Sequence, residues 1–150
     1  MAPSPSFLTG EFRHAIDDRG RIAIPVRFRL RLAEGATLAR WLDHCLGVFP
    51  AEEWSSLAEK IRALPMTNPA AREFARFMSS GAVDVELDKQ GRLLVPSYLR
   101  EYAGLSEGEV VVVGALNRLE IWAPSAWQPY RARIEGAPEE LAAHLQDLGI

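Results

Sequence analysis

Gly10-Glu11-Phe12-Arg13-His14-Ala15-Ile16-Asp17-Asp18-Arg19-Gly20-Arg21-Ile22-Ala23-Ile24-Pro25 returns, altered but in step, 71 residues later as Gly81-Ala82-Val83-Asp84-Val85-Glu86-Leu87-Asp88-Lys89-Gln90-Gly91-Arg92-Leu93-Leu94-Val95-Pro96. Gly10, Asp17, Gly20, Arg21, Pro25 and Arg29 meet Gly81, Asp88, Gly91, Arg92, Pro96 and Arg100 as identities, while Ile16, Ile22, Ile24 and Phe28 meet Leu87, Leu93, Val95 and Leu99. Two extra residues near Ala103–Ser106 shift the offset to 73, after which Gly35, Leu46, Val48, Phe49 and Trp54 meet Gly108, Leu119, Ile121, Trp122 and Trp127. The matches fall in one order and mostly at turn and core positions. The chain is two copies of one unit, and any fold must be built from that repeat.

Each copy reads alike. Glu11–Ile16 and Ala82–Leu87 are short strand-like runs, followed closely by Arg21–Ile24 and Arg92–Val95. Between them, Asp17-Asp18-Arg19-Gly20 and Asp88-Lys89-Gln90-Gly91 place Asp first and Gly fourth, the signature of a type I turn with Gly left-handed. The Asp side chain is positioned to accept a backbone N–H inside the turn, and Arg21 or Arg92 emerges at its base. Pro25 and Pro96 are read as the first helical positions of short helices, Val26–Leu32 and Ser97–Ala103. Two more strands follow in each copy, Ala36–Leu42 with Leu46–Phe49 and Val110–Gly114 with Leu119–Trp122.

Helices are expected after each copy. Trp54, Leu57, Ile61 and Leu64 share one face of Glu52–Leu64, and Ala70–Met78 carries Phe74, Phe77 and Met78. After the second copy, Pro124–Ile134 presents Trp127, Tyr130 and Ile134, and Glu139–Leu148 presents Leu141, Leu145 and Leu148 behind a break at Gly136–Pro138. The units are therefore 11–54 and 82–125, joined by connecting helices over 55–80 and followed by C-terminal helices over 126–150. Met1–Ser6 reads as a flexible tail. One unit of about 45 residues has too small a core to stand alone, and each exposes strand edges that the other can cover. The two copies are expected to pair within the chain. Trp54, Phe74, Phe77, Met78 and Trp127 form an apolar surplus that one small barrel does not fully cover, which points to a homo-oligomer.

Composition narrows the function. At 150 residues, 48% apolar and 25% charged, the chain is globular in its balance rather than disordered or fibrous. Its single cysteine, Cys45, fits a reducing cytosol. No apolar run approaches the roughly 18 residues a membrane span needs, and Met1–Gly10 lacks the pattern of a signal peptide. An intracellular, soluble protein is expected. The net charge of -3 conceals an uneven distribution: Arg13 to Arg31 holds six arginines against two aspartates, while Glu135 to Ile150 has four acids and no Lys or Arg. Local patches decide electrostatic contact at a Debye length of about 8 Å.

Enzyme chemistry finds no support. His14, His44 and His144 lie far apart and make no metal spacing with Cys45, and on a strand His44 and Cys45 would face opposite sides. There is no Gly-rich phosphate loop and no nucleophile elbow. No catalytic residue, metal site, cofactor or small-molecule substrate is expected. Asp17 and Asp88 are read as ordering their turns and pairing with Arg21 and Arg92. Around Arg21, however, Arg13 and Arg19 supply more cation than the copy's two aspartates neutralise. Trp54, Trp122, Trp127 and Phe74 are read as core or interface residues rather than base-stacking platforms.

The paired motifs, Asp17-Asp18-Arg19-Gly20-Arg21 and Asp88-Lys89-Gln90-Gly91-Arg92, each followed by an apolar strand and Pro25 or Pro96, resemble those of the bacterial MraZ family. Val48-Phe49-Pro50-Ala51-Glu52-Glu53-Trp54, Asn117-Arg118-Leu119-Glu120-Ile121-Trp122 and His144-Leu145-Gln146-Asp147-Leu148-Gly149-Ile150 extend the likeness over nearly everything after Phe7. The resemblance implies an α+β protein in which two swapped-hairpin AbrB-like repeats form an intrachain double-split β-barrel flanked by helices. It implies a ring-shaped homo-oligomer. It also implies a cytoplasmic, nucleoid-associated transcriptional regulator of double-stranded DNA that binds short tandem repeats upstream of the division and cell-wall gene cluster. Carried over residue by residue, the DNA surface would comprise Arg19, Arg21, Lys89 and Arg92, with Arg13 added from its place beside the first motif and Asp17, Gly20, Asp88 and Gly91 shaping the turns. Arg19 stands where the family usually has lysine, and Gln90 stands in copy two where copy one has Arg19, so the copies need not contribute equally. The other reading of the same residues is an AbrB-like protein-interaction adaptor whose arginines serve oligomer contacts.

Overall fold

The structure is a computed structural model and describes residues 7–149; the tail expected at Met1–Ser6, and Ile150 at the other end, lie outside the described residues. Strand β1 (Leu8–Ile16) turns into β2 (Arg21–Ala23), then α1 (Val26–Arg29) tightens into a 3-10 turn at Leu30–Leu32. Strands β3 (Ala36–Arg40) and β4 (Leu46–Pro50) follow, then helices α2 (Ala51–Arg62) and α3 (Pro69–Gly81). The second copy repeats the order as β5 (Val83–Val85), β6 (Arg92–Leu94), α4 (Ser97–Ala103), β7 (Gly108–Leu116), β8 (Leu119–Trp122), α5 (Pro124–Gly136) and α6 (Pro138–His144), with a 3-10 turn at Gln146–Leu148.

All eight strands join one antiparallel sheet in the order β5-β3-β4-β8-β7-β1-β2-β6. The hairpins are exchanged between copies. β1 of the first copy pairs along its whole length with β7 of the second, from Leu8 opposite Leu116 to Ile16 opposite Gly108. Reciprocally, β5 of the second copy pairs with β3 of the first. Like strands meet at the two seams, β4 with β8 and β2 with β6. The sheet curls into a nearly closed barrel because β5 and β6, at its two ends, are joined by a turn whose Asp88 N–H donates to Arg92 C=O at 3.0 Å.

The repeat alignment explains the core. Ile22, Ile24 and Phe28 and their counterparts Leu93, Val95 and Leu99 are all fully buried in one cluster with Leu38, Val48, Val112, Leu119 and Ile121. Both copies therefore contribute the same positions to one interior. Burying a side chain of this size contributes about 1.5–3 kcal/mol, so neither half retains its stabilisation without the other. Two smaller clusters lie outside the barrel. Ala39 and Phe49 pack against Met78 of α3 beneath α2 and α3, and Cys45, Val111 and Trp122 pack against Trp127 of α5.

Several local expectations are corrected. Pro25 and Pro96 precede the first helical residue, with extended ψ values of 135° and 153°, and so cap the helices from outside rather than occupying their first positions. The strand expected over Ala36–Leu42 stops at Arg40, and Asp43 and His44 turn the chain with φ of 65° and 58°. His44 is therefore not on a strand: it is exposed and stacks on Tyr102, while Cys45 is buried and its thiol is pushed well above the ordinary thiol range by burial. The stretch Glu139–Leu148 is not one helix, because α6 ends at His144 and a separate 3-10 turn follows. Met78 and Trp127, expected among the uncovered apolar residues, are buried within the chain. The large exposed apolar side chains instead include Leu64, Met66, Leu141, Leu145 and Leu148.

Candidate nucleic-acid interface

The two Asp-x-x-Gly-Arg turns have nearly superposable chemistry. In the first, the Asp17 carboxylate accepts the backbone N–H of Arg19 at 3.0 Å and of Arg21 at 2.9 Å through one oxygen, and Arg21 Nε–H at 2.7 Å through the other. In the second, Asp88 accepts the N–H of Gln90 and of Arg92 and the Nε–H of Arg92, each at 2.9 Å. Gly20 and Gly91 close the turns by donating to the carbonyls of Asp17 and Asp88 at 3.1 and 2.9 Å, with φ of 85° and 74°. Only glycine takes such backbone angles without steric cost.

These bonds to the ionised form set the acidity. The Arg21 N–H, the Arg21 guanidinium and the Arg19 N–H, working against a cost of burial, hold Asp17 down to about 2 from its ordinary 3.8. Asp88 is lowered in the same way, with the Arg92 N–H the largest cause. Each aspartate is thus held toward its ionised form and fixes its arginine through Nε.

Tertiary pairing brings the two motif arginines onto one surface. Ladder β2–β6 sets Arg21 opposite Leu94 and Ala23 opposite Arg92. It is extended at both ends by Val95 N–H to Gly20 C=O at 2.8 Å and Ile24 N–H to Gly91 C=O at 3.0 Å. Ile22 and Leu93 point into the core with no exposure. Alternation along a strand therefore places Arg21, Ala23, Arg92 and Leu94 on the outer face. Arg19 and Lys89 are exposed on the turns, at opposite ends of this two-stranded ribbon. Arg92 also lies 4.0 Å from the Asp17 carboxylate, joining the two motifs.

Not every predicted cation is equally placed. Arg13 lies on β1 and is ion-paired to Glu109 at 2.5 Å, which neutralises part of its field. The remaining arginines of the basic stretch also meet partners within the chain. Arg27 stacks over Phe28 at 5.2 Å, and Arg31 pairs with Glu52 and with Glu53.

Arg29 and Arg100 carry a role that the sequence reading missed. Arg29 donates to Ile24 C=O at 2.9 Å and packs on Gly91, while Arg100 donates to Val95 C=O at 3.1 Å and packs on Gly20. Each copy thus buttresses the other copy's turn from behind. The signal was present in the repeat, since the two arginines are identical residues at matching positions, but their function depends on which turn they meet.

Fold and site together define a tandem-repeat, swapped-hairpin barrel whose paired Asp-x-x-Gly-Arg turns set Arg21 and Arg92 on one outer face. The sequence profile of the MraZ protein family matches residues 7–77 and again residues 78–147, so the chain belongs to the MraZ family. It is 49% identical over 141 residues to a transcriptional regulator MraZ of Halothermothrix orenii, covering 94% of this chain and 98% of that one. It is 50% identical over 141 residues to a transcriptional regulator MraZ of Desulfitobacterium hafniense, with the same coverage, 94% and 98%. A transcriptional regulator MraZ of Caldanaerobacter subterraneus is 43% identical over 143 residues, covering 95% and 99%.

Proposed function

We propose that this protein is a DNA-binding transcriptional regulator that recognises short tandem repeats upstream of the division and cell-wall gene cluster, acting in the cytoplasm at the nucleoid. The observation that carries the reading is the pairing of β2 with β6, which sets Arg21 and Arg92 on one outer face with the exposed Arg19 and Lys89 at its two ends, despite a net charge of -3. Arginine forks match guanine O6 and N7 in the major groove, a contact worth about 1–3 kcal/mol of discrimination. Arg19 and Lys89, exposed on the turns, suit phosphates, whose contacts set affinity and salt dependence. The names of the relatives support the same role.

A single protomer neutralises few phosphates, so the reading includes a homo-oligomer that engages successive repeats at once. Linked contacts of this kind gain about 10² or more in avidity. A groove of about 420 Å³ between α2 and α3, lined by Trp54, Ile61, Leu64 and Met66 among others, supports association. So do the exposed leucines of the acidic C-terminal end.

Binding of the full chain to duplex DNA from upstream of its own coding sequence, against a scrambled duplex over a salt series, tests the proposal. Preference for the natural duplex and a steep fall in affinity with salt are expected. Equal, absent or salt-insensitive binding would favour the adaptor reading instead. Light scattering should give a mass several times 16.7 kDa, and a clean monomer would remove the avidity argument.

A further inference from the structure

We propose that Leu94 reads a thymine methyl group and thereby makes the two halves of the DNA surface unequal; the inference rests on the DNA-binding reading. Leu94 is 56% exposed, although its neighbours Leu93 and Val95 are fully buried. It stands on the outer face of the β2–β6 ribbon, directly opposite Arg21 and two residues from Arg92.

The fold does not need it there. The repeat offset of 71 makes Ala23 its counterpart in the first copy, and the same ribbon is built on that side with a methyl group alone. An exposed leucine contributes little to the core, and the polar side chains around it do not cover it. Its chemistry points outward.

A two-stranded ribbon fits the major groove of B-DNA, and the exposed apolar group there is the C5-methyl of thymine. Side chains directly opposite on paired strands have Cβ atoms about 5 Å apart, while successive base pairs are stacked about 3.4 Å apart. If Arg21 reads a guanine, Leu94 meets a thymine within a step or two of it. The corresponding place beside Arg92 is occupied by Ala23, whose short side chain does not reach the same depth. One protomer therefore reads an asymmetric element, richer on the Arg21–Leu94 side.

The test isolates the methyl group. Sites are selected from a randomised duplex pool by the full-length protein, and each thymine in the consensus is then replaced singly by deoxyuridine, which removes that methyl and nothing else. At one thymine near the preferred guanine, wild type should lose about fourfold in affinity, the value of one buried methyl. Leu94→Ala should bind the thymine and uracil duplexes equally and should select sites degenerate at that position. Thermal unfolding of Leu94→Ala should match wild type, because Ala23 already serves the equivalent position. If every deoxyuridine substitution affects both proteins alike, or the variant selects the same sites with the same affinity, the inference is wrong while DNA recognition stands. If wild type enriches no sequence from the pool, the DNA reading falls and this inference with it.

Discussion

The guanidinium of Arg92 crosses the β2–β6 ladder to within 4.0 Å of the Asp17 carboxylate, while its own Nε is held by Asp88 at 2.9 Å. One arginine of the second copy is thus shared between two carboxylates. Among the described residues Arg21 is paired with Asp17 alone, at 2.7 Å. The two arginines are equally exposed, 31% and 30%, so the internal symmetry of the repeat is broken in the pairing of their guanidinium groups.

From this asymmetry, Arg21→Ala should abolish preference for the repeated site over scrambled DNA. Arg92→Ala should reduce that preference less, and Arg19→Ala should mainly lower affinity and flatten the salt slope. Fluorescence anisotropy over a salt series, with oligomer mass and melting temperature recorded for each variant, measures all three. An Arg21→Ala protein of unchanged mass that binds the repeats as wild type does would make the turn purely structural.

The turn glycines should be intolerant of a side chain in a graded way. A Cβ on Gly20 would lie 2.6 Å from the Val95 carbonyl, in a backbone with φ of 85°. Gly20→Ala should cost about 2 kcal/mol or more, from the left-handed backbone and the clash with the ladder. Gly104 has a comparable φ of 67° but open space around it, so Gly104→Ala should cost only about 1 kcal/mol. Denaturant midpoints at constant m-value compare the two.

The turn aspartates confer an acid limit. Asp17 titrates at about 2 in the folded protein against an ordinary 3.8, so its contribution to stability is fully present above about pH 4 and is lost as pH falls toward 2. Asp88 acts in the same direction. Unfolding followed from pH 5 to pH 2 should show wild type losing stability across this window, and the Asp17→Asn, Asp88→Asn double variant should show a shallower loss from a lower starting value. An identical pH profile for both proteins would contradict the assignment.

A half-chain should not fold. Residues 7–68 lack β7, which pairs with all of β1, and lack β5, β6 and β8, which cover β3, β2 and β4. The fragment should be unfolded or aggregated by circular dichroism and light scattering. Cooperative melting of a monomeric fragment would show that the exchanged pairing is dispensable.

The sequence by itself determined what depends on neighbours along the chain. Asp at the first and Gly at the fourth turn position specify the turns at 17–20 and 88–91, because the Asp carboxylate meets N–H groups only two and four residues away. Alternation buried Ile22, Ile24, Leu93 and Val95, because the side-chain period of a strand is two. Repetition of these features disclosed two copies before any contact was known. The tertiary structure alone decided which copy serves which. That Arg29 supports Gly91 and Arg100 supports Gly20, that Arg13 is spent on Glu109, and that Leu94 faces Arg21 all follow from the exchanged hairpins. Two such similar units carry no local signal for whether each pairs with itself or with its twin. Exchange is settled by the shared interior, which buries the same apolar positions from both copies at once.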